Sequence, residues 1–382
     1  MIVATPSNLP RAVHGIYALV RQGHRVVARS GQPKALIAAL REAGLGPSCV
    51  EVVRHAPNAQ PLPIVEPSRK LRVALLGHGT VGTGLYRRLA ELPEQFTVTA
   101  IAVRDVRKAE RNGAPARLLH NDCRLALARQ HDVVVELIGG TLPAASLIES
   151  SLRAGKHVVT ANKAVIAGRG PYLESLAREA GVHLLYSASV GGAMPALETL
   201  RRHAGAVVAF SGVLNATSNF VLDRMARGAS LAAAVAEAQA AGYAEADPRL
   251  DLDGTDAAQK LVILARAAFG CAPQRLAQEG IEHVGDARGV RLVASCTLHA
   301  GQVRPAALAP DHPLASTAGA ETRLVVQLRD GSTLKLSATG AGRWPTAEAV
   351  LADLYDIAGT AGFRLRATEG PSSLSCLRGC AT

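Results

Sequence analysis

Aromatic side chains make up only 3% of the 382 residues. So few ring faces leave little on which single-stranded bases could stack, which argues against a nucleic-acid-binding protein. Lys and Arg outnumber Asp and Glu, 42 to 31, but the excess is mostly arginine spread thinly along the chain. Without a long block of like charge, the net charge of +11 reads as a general surface property. Long apolar runs are missing too: no stretch of about 18 uncharged apolar residues occurs, so no membrane-spanning helix is expected. The opening MIVATPSNLPRAV lacks the basic start, apolar core and cleavage pattern of a signal peptide. Cysteine is sparse. The six residues (Cys49, Cys123, Cys271, Cys296, Cys376 and Cys380) form neither a compact disulfide framework nor paired CxxC zinc ligands. Cys376 and Cys380 fall in a Ser-rich tail that reads as a disordered terminus. These absences point to a cytoplasmic, reducing setting, with neither membrane nor nucleic acid as partner.

The chain is long enough for two or three domains, and its 48% hydrophobic content suits a globular core. Residues 1–66 read as a small α/β extension of unassigned role. In it MIVAT, HRVVAR and CVEVVRHA are candidate strands, and PRAVHGIYALVRQG and PKALIAALREAG candidate helices. APNAQPLPIVEPSRK, with four prolines in fifteen residues, reads as a linker.

LRVALLGHGTVGTGLYRRLAEL is then a buried strand, a Gly-rich turn and a helix. Gly77, Gly79 and Gly82 have GxGxxG spacing, with Thr80 and Val81 between the last two. The first glycine suits the tight turn, the second close approach of a pyrophosphate, and the third the packing of helix on strand. Anionic phosphates would meet the amide donors of the helix N-terminus. The next strand, FTVTAIAV, runs into Arg104, with Lys108 nearby. Cations at that place suit the 2′-phosphate of NADP, whereas the neighbouring Asp105 would suit NAD; the pattern favours NADP and leaves NAD open. DVVVELIGG, GKHVVTANKA and VHLLYSASVGG continue the alternation of strands and helices. It predicts an α/β fold with a doubly wound parallel sheet of Rossmann type over about 70–200. Gly139 and Lys163 would stand at strand C-terminal ends, where such sheets bind ligands; an exposed loop lysine is the plain alternative for Lys163. Beyond about residue 201, GAVVAFSGVLN and TRLVVQLRDGSTLKLSATG read as antiparallel strands, the latter turning at Asp330-Gly331. SLAAAVAEAQAAG reads as a helix capped by Ser230 and ended by Gly242. This second unit, to about 339, is of α+β type.

GYAEADPRLDLDGTDAAQK concentrates Glu245, Asp247, Asp251, Asp253 and Asp256 in a basic chain. An EF-hand loop is excluded, because with Gly254 at its sixth position the first and last ligands would be Arg249 and Lys260. Two readings remain. The stretch is a solvated acidic face in which Asp256 and Lys260, four apart on one helix, make an ordinary ion pair. Or it is a pocket whose carboxylates grip a substrate ammonium group while a lysine exchanges a proton.

From Ala238 through Gly242, Tyr243, Asp247-Pro248, Asp251, Gly254 and Asp256 to Lys260, the stretch resembles the signature of homoserine dehydrogenases. ELIGGTLPA, GKHVVTANKA, ASVGGAMPALETL, GVLNATSNFVL, GIEHV, DHPLAS and GAGRWPTAEAVLADLYDI resemble further blocks of that family, in order, over about 70–358. The resemblance implies interconversion of L-aspartate 4-semialdehyde and L-homoserine with a nicotinamide cofactor, on the route to threonine and methionine. It implies Lys260 as proton donor and acceptor, and Lys163 beside nicotinamide and substrate. Glu245, Asp251 and Tyr243 would bind substrate, with Asp256 holding the lysine or the substrate amine. The returning helix at about 340–358 would complete the nucleotide-binding domain and add Gly340 to the cofactor contacts; 359–382 is a tail. A homodimer or higher homo-oligomer is implied. So is a sodium or potassium ion on the backbone carbonyls of Val190, Gly192 and Met194, although Ser187 stands where the family commonly carries an acidic residue. Ala216 and Ala193 replace family glycines. The rival readings are another NAD(P)-dependent amino- or oxo-acid oxidoreductase and a non-catalytic relative.

Overall fold

The computed structural model describes residues 70–191, 194–339 and 343–360, with short strands at Tyr17–Arg21, Arg25–Ser30, Val50–Arg54, Glu66–Pro67 and Leu365–Arg366. Gly192, Gly340, Cys49, Cys376, Cys380 and the candidate elements MIVAT and PKALIAALREAG lie outside these residues. Tyr17–Arg21 corrects the helix expected over 10–23: it is a strand, paired antiparallel with Arg25–Ser30 on one side and Val50–Arg54 on the other. A short apolar run such as YALVR carries no periodicity long enough to separate helix from strand, and its β-branched and aromatic content suits a sheet.

The first large unit alternates strand and helix. In chain order it comprises β1 (Leu71–Leu76), α1 (Thr80–Ala90), β2 (Phe96–Ala102), α2 (Val106–Arg111), β3 (Leu119–His120), α3 (Cys123–Leu127), β4 (Val133–Glu136), α4 (Ala144–Arg153), β5 (His157–Thr160), α5 (Lys163–Glu179) and β6 (Leu184–Leu185). The strands lie in the order β6-β5-β4-β1-β2-β3, all parallel, which is the doubly wound order with its switch point between β1 and β4. Helices on both faces bury β1 and β4, hence strands that are apolar but for Arg72 and Glu136. VHLLYSASVGG forms only a two-residue strand before the chain turns into a 3₁₀ segment at Ser187–Val190.

A second unit follows: α6 (Ala196–Arg202), β7 (Val207–Val213), α7 (Ala216–Met225), α8 (Leu231–Ala240), α9 (Arg249–Leu252), α10 (Thr255–Phe269), β8 (Arg275–Gln278), β9 (Val290–Thr297), β10 (Ala300–Ala307), β11 (Glu321–Leu328) and β12 (Thr333–Thr339). Its sheet runs β8-β10-β9-β7-β11-β12, antiparallel except for β8 on β10. The sequence reading found β7, β11 and β12 but not the pairing of β9 with β10. Ser230 caps α8 as expected by accepting a hydrogen bond from Ala233 N, and Gly331 turns the β11–β12 hairpin with φ +84°. The last helix, α11 (Arg343–Thr360), returns to the first unit, where Ala347, Val350, Leu354 and Ile357 pack with Leu71, Val73 and Leu85. Arg88 of α1 fastens it through a 2.6 Å ion pair with Glu348.

Candidate active site

The loop after β1 has the shape its glycines require. Gly77 adopts φ +102°, and a Cβ there would lie 2.6 Å from the Leu137 carbonyl oxygen. A Cβ on Gly82 would meet the Gly77 oxygen at 2.2 Å, so α1 can pack this closely only without a side chain. Gly79 differs: nothing lies within 4 Å of its hypothetical Cβ, and it and Thr80 are exposed while Val81 is half-buried. α1 begins at Thr80 with no side-chain cap, so its first amides face this open space. An exposed, glycine-cleared helix N-terminus at a sheet switch point fits the pyrophosphate of a dinucleotide.

At the end of β2, Asp105 is occupied as the N-cap of α2, accepting a 2.9 Å hydrogen bond from Lys108 N. Arg104 and the Lys108 side chain are exposed beside it. Gly139 and Gly140, after β4, have φ +78° and +69° and open space around them. Their loop is set from beneath by Glu136, fully buried, which accepts hydrogen bonds from Ile138 N (2.8 Å), Gly139 N (3.2 Å) and Thr160 Oγ1 (2.6 Å). Asn162 donates to Gly140 O at 2.7 Å and caps α5 by accepting from Val165 N. Glu136 and Thr160 were not singled out in the sequence; only an acid ending an apolar strand could have marked Glu136.

α5 opens with Lys163, and α10 carries Asp256 in its first turn and Lys260 one turn later. Lys163 Nζ lies 2.9 Å from Asp256 Oδ1, and Lys260 Nζ lies 2.8 Å from Oδ2 of the same carboxylate. Lys260 also donates to Leu214 O at 2.8 Å. The carboxylate is 6% exposed, Lys260 14% and Lys163 36%, so the opening lies on the Lys163 side. Burial pushes Asp256 towards the neutral acid, but the two ammonium groups outweigh it and hold the carboxyl below the usual carboxylate range. In return Asp256, opposed by burial and helped by Asp251 and Glu245, raises Lys163 above the ordinary lysine value.

Asn215 joins a second acid to this group. Its Nδ2 donates to Asp251 Oδ1 (2.6 Å) and Asp256 Oδ2 (2.7 Å), while its Oδ1 caps α7 by accepting from Ser218 N. Burial and the charge of Asp256 raise the Asp251 carboxyl. Asn215 was missed in the sequence, although an Asn just ahead of a helical run is a cap signal.

The five acids divide. Asp251 and Asp256 converge, and Glu245 is exposed but near enough to act on Lys163. Asp247 instead forms an exposed pair with Arg249 at 2.6 Å, and Asp253 turns back to accept from Thr255 N. The expected receptor of five carboxylates is therefore corrected to three, since two acids are spent on local turns. Tyr243 is half-buried, its ring 5.1 Å from that of Phe220 and its carbonyl accepting from Thr217 Oγ1. Val190 and Met194 are buried at the turn before α6; Ser187 N donates to the buried Asp353 of α11 at 3.0 Å. Among the described residues, no group of three or more His, Cys, Asp or Glu is arranged to hold a metal ion.

Comparison with known proteins agrees with this geometry. Residues 77–187 match the family model "Homoserine dehydrogenase, NAD binding domain", and 195–355 match the model "Homoserine dehydrogenase". The homoserine dehydrogenase of Synechocystis sp. is 38% identical over 319 residues, 76% of this chain and 73% of that one. That of Corynebacterium glutamicum is 35% identical over 323 residues, again 76% and 73%. Among solved structures, a homoserine dehydrogenase from Thiobacillus denitrificans superposes with a TM-score of 0.70 at 34% identity, covering 78% of this chain and 76% of that one. A hyperthermophilic archaeal homoserine dehydrogenase in complex with NADPH gives 0.69 at 28% identity, with 78% and 100% covered. The chain belongs to the homoserine dehydrogenase family of NAD(P)-dependent oxidoreductases.

Proposed function

We propose that this protein interconverts L-aspartate 4-semialdehyde and L-homoserine with NADPH as the preferred reductant, in the supply of threonine and methionine. The observation that carries this reading is the single buried carboxylate of Asp256 clamped between Lys163 and Lys260. When bound, the nicotinamide supplies the hydride, and the chain's own groups bind, orient and move the proton. Lys260 donates a proton to the substrate oxygen in reduction and takes it back in oxidation. Lys163, its ammonium form favoured by Asp256, holds positive charge beside the developing alkoxide. Around the site three carboxylates (Asp251, Asp256, Glu245) face two ammonium groups (Lys163, Lys260), an excess of one negative charge. A substrate ammonium on Asp251 and Glu245 balances it, which suits an amino-acid aldehyde better than an uncharged one. Tyr243, half-buried against Phe220, would contact the substrate's carbon chain.

Cofactor choice rests on Arg104 and Lys108, because the competing Asp105 is spent as a helix cap. A sodium or potassium ion would rest on the carbonyls of Val190 and Met194. With Ser187 in place of an acid, that oxygen set lacks a carboxylate and would hold the ion more weakly. The test is NADPH and NADH consumption with aspartate 4-semialdehyde. Turnover should be faster with NADPH, and Arg104→Asp should shift the preference towards NADH by at least tenfold. An unchanged ratio would remove Arg104 as the discriminator, and no turnover with either cofactor would overturn the function.

A further inference from the structure

Pro171 lies in the middle of α5. Proline has no N–H, so the carbonyl four residues back, that of Ala167, loses its helical donor. Arg266 of α10 supplies the replacement. Its Nη2 donates to Ala167 O at 2.8 Å, and its Nη1 donates to Ile166 O at 2.7 Å. Gly170 keeps the place clear: a Cβ there would sit 3.0 Å from Nη1, tighter than a relaxed contact allows. The sequence GRGPY thus builds a notch in one helix, and a guanidinium fork from another fills it with two charge-assisted hydrogen bonds.

The two helices joined in this way are the two that carry the lysines. α5 begins with Lys163, and α10 holds Asp256 and Lys260. They meet at a second point, the Lys163–Asp256 ion pair. That pair consists of groups the proposed reaction uses, and its balance must change when a charged substrate arrives. The Arg266 fork lies ten residues beyond Asp256, roughly 15 Å along the helix, too far to take part in the chemistry. We infer that Arg266 is a positioning residue: seated in the notch opened by Pro171 and cleared by Gly170, it holds α10 on α5 so that Lys163 and Lys260 stay on opposite oxygens of Asp256. This rests on the catalytic roles proposed for the two lysines, because a displacement of about 1 Å between them is enough to lower turnover about a hundredfold.

The experiment separates positioning from mere support. Arg266→Met should lower kcat at least tenfold, at a temperature where the variant is fully folded, while the Kd for NADPH stays within twofold. Adding Pro171→Ala returns an N–H to Ala167 O, so the double variant should regain melting temperature but not kcat. In a Lys163→Met background, Arg266→Met should cost no further turnover, because both act on one element. Should Arg266→Met not fold, Gly170→Ala pushes Nη1 aside by a few tenths of an ångström and should lower kcat in the same direction at unchanged NADPH affinity. Normal kcat in these single variants, or recovery of kcat along with stability in the double variant, overturns the inference. Normal turnover in Lys163→Met would overturn the proposed lysine roles and, with them, this inference. Loss in Lys163→Met with normal turnover in Arg266→Met would overturn the inference alone.

Discussion

Two ammonium groups share one carboxylate at Asp256, and that sharing sets the protonation around it. Because the folded Asp256 carboxyl is held below its unfolded value, its stabilising contribution is present above the unfolded carboxylate pKa and is lost as the pH falls below it. Lys163 is raised, so its contribution holds through neutral pH and fades as the pH rises through its folded value. Asp256→Asn keeps the shape but leaves the buried Lys260 without its carboxylate and Lys163 without its nearest one, which should destabilise the fold by about 3 kcal/mol. It should also move the basic limb of the kcat–pH profile to lower pH; an unchanged limb, measured by steady-state rates, would mean that Asp256 does not control the lysines. Part of this was legible. The four-residue spacing of Asp256 and Lys260 declares a shared helix face, and Lys163 stood out at a strand end. The bond between Lys163 and Asp256, and the use of Asn215 as the bridge to Asp251, depend on how two separate units meet, which no local pattern encodes. Asp247 and Asp253 were misjudged for the converse reason: charge density in a sequence does not say which carboxylates point inward.

At the scale of elements, the glycine turn between β1 and α1 makes two distinct predictions. Gly82→Ala drives a methyl into the Gly77 oxygen, so NADPH affinity should fall and stability should drop by about 1–3 kcal/mol, read as a lower melting temperature. Gly79→Ala meets nothing in the protein, so its melting temperature should match the wild type while NADPH affinity drops at least tenfold. Equal effects of the two variants on NADPH titrations and thermal melts would show that Gly79 does not face the phosphates. β1, β4 and β5 were readable because they are largely buried and announce themselves as mostly apolar runs followed by turn or cap residues; the two-residue β3, only half-buried, was not. The Tyr17–Arg21 strand and the β9–β10 pair were not, since short segments look alike in either period.

At the scale of the whole molecule, α11 returns from the end of the described chain and brings Asp353 against the Ser187 amide. Burial, opposed by that hydrogen bond and aided by the charge of Glu198, pushes this carboxyl up to about 7. A folded value above the unfolded one means that the contribution is complete below the unfolded carboxylate pKa and is lost as the pH rises towards 7. Thermal melts of the wild type should therefore weaken between about pH 4 and pH 7, and Asp353→Asn should flatten that slope; parallel slopes would place the titration elsewhere. The overall charge of +11 says nothing of the site, whose local balance is one negative charge in excess. Lys260 is where that site meets the chemistry. The most direct measurement is turnover of aspartate 4-semialdehyde with NADPH by wild type and Lys260→Ala, alongside NADPH binding by both. Loss of roughly 10²- to 10⁴-fold in kcat at unchanged NADPH Kd is the expected result for a residue that transfers the proton. Near-normal kcat in Lys260→Ala would reduce the buried pair with Asp256 to a structural contact and contradict the mechanism.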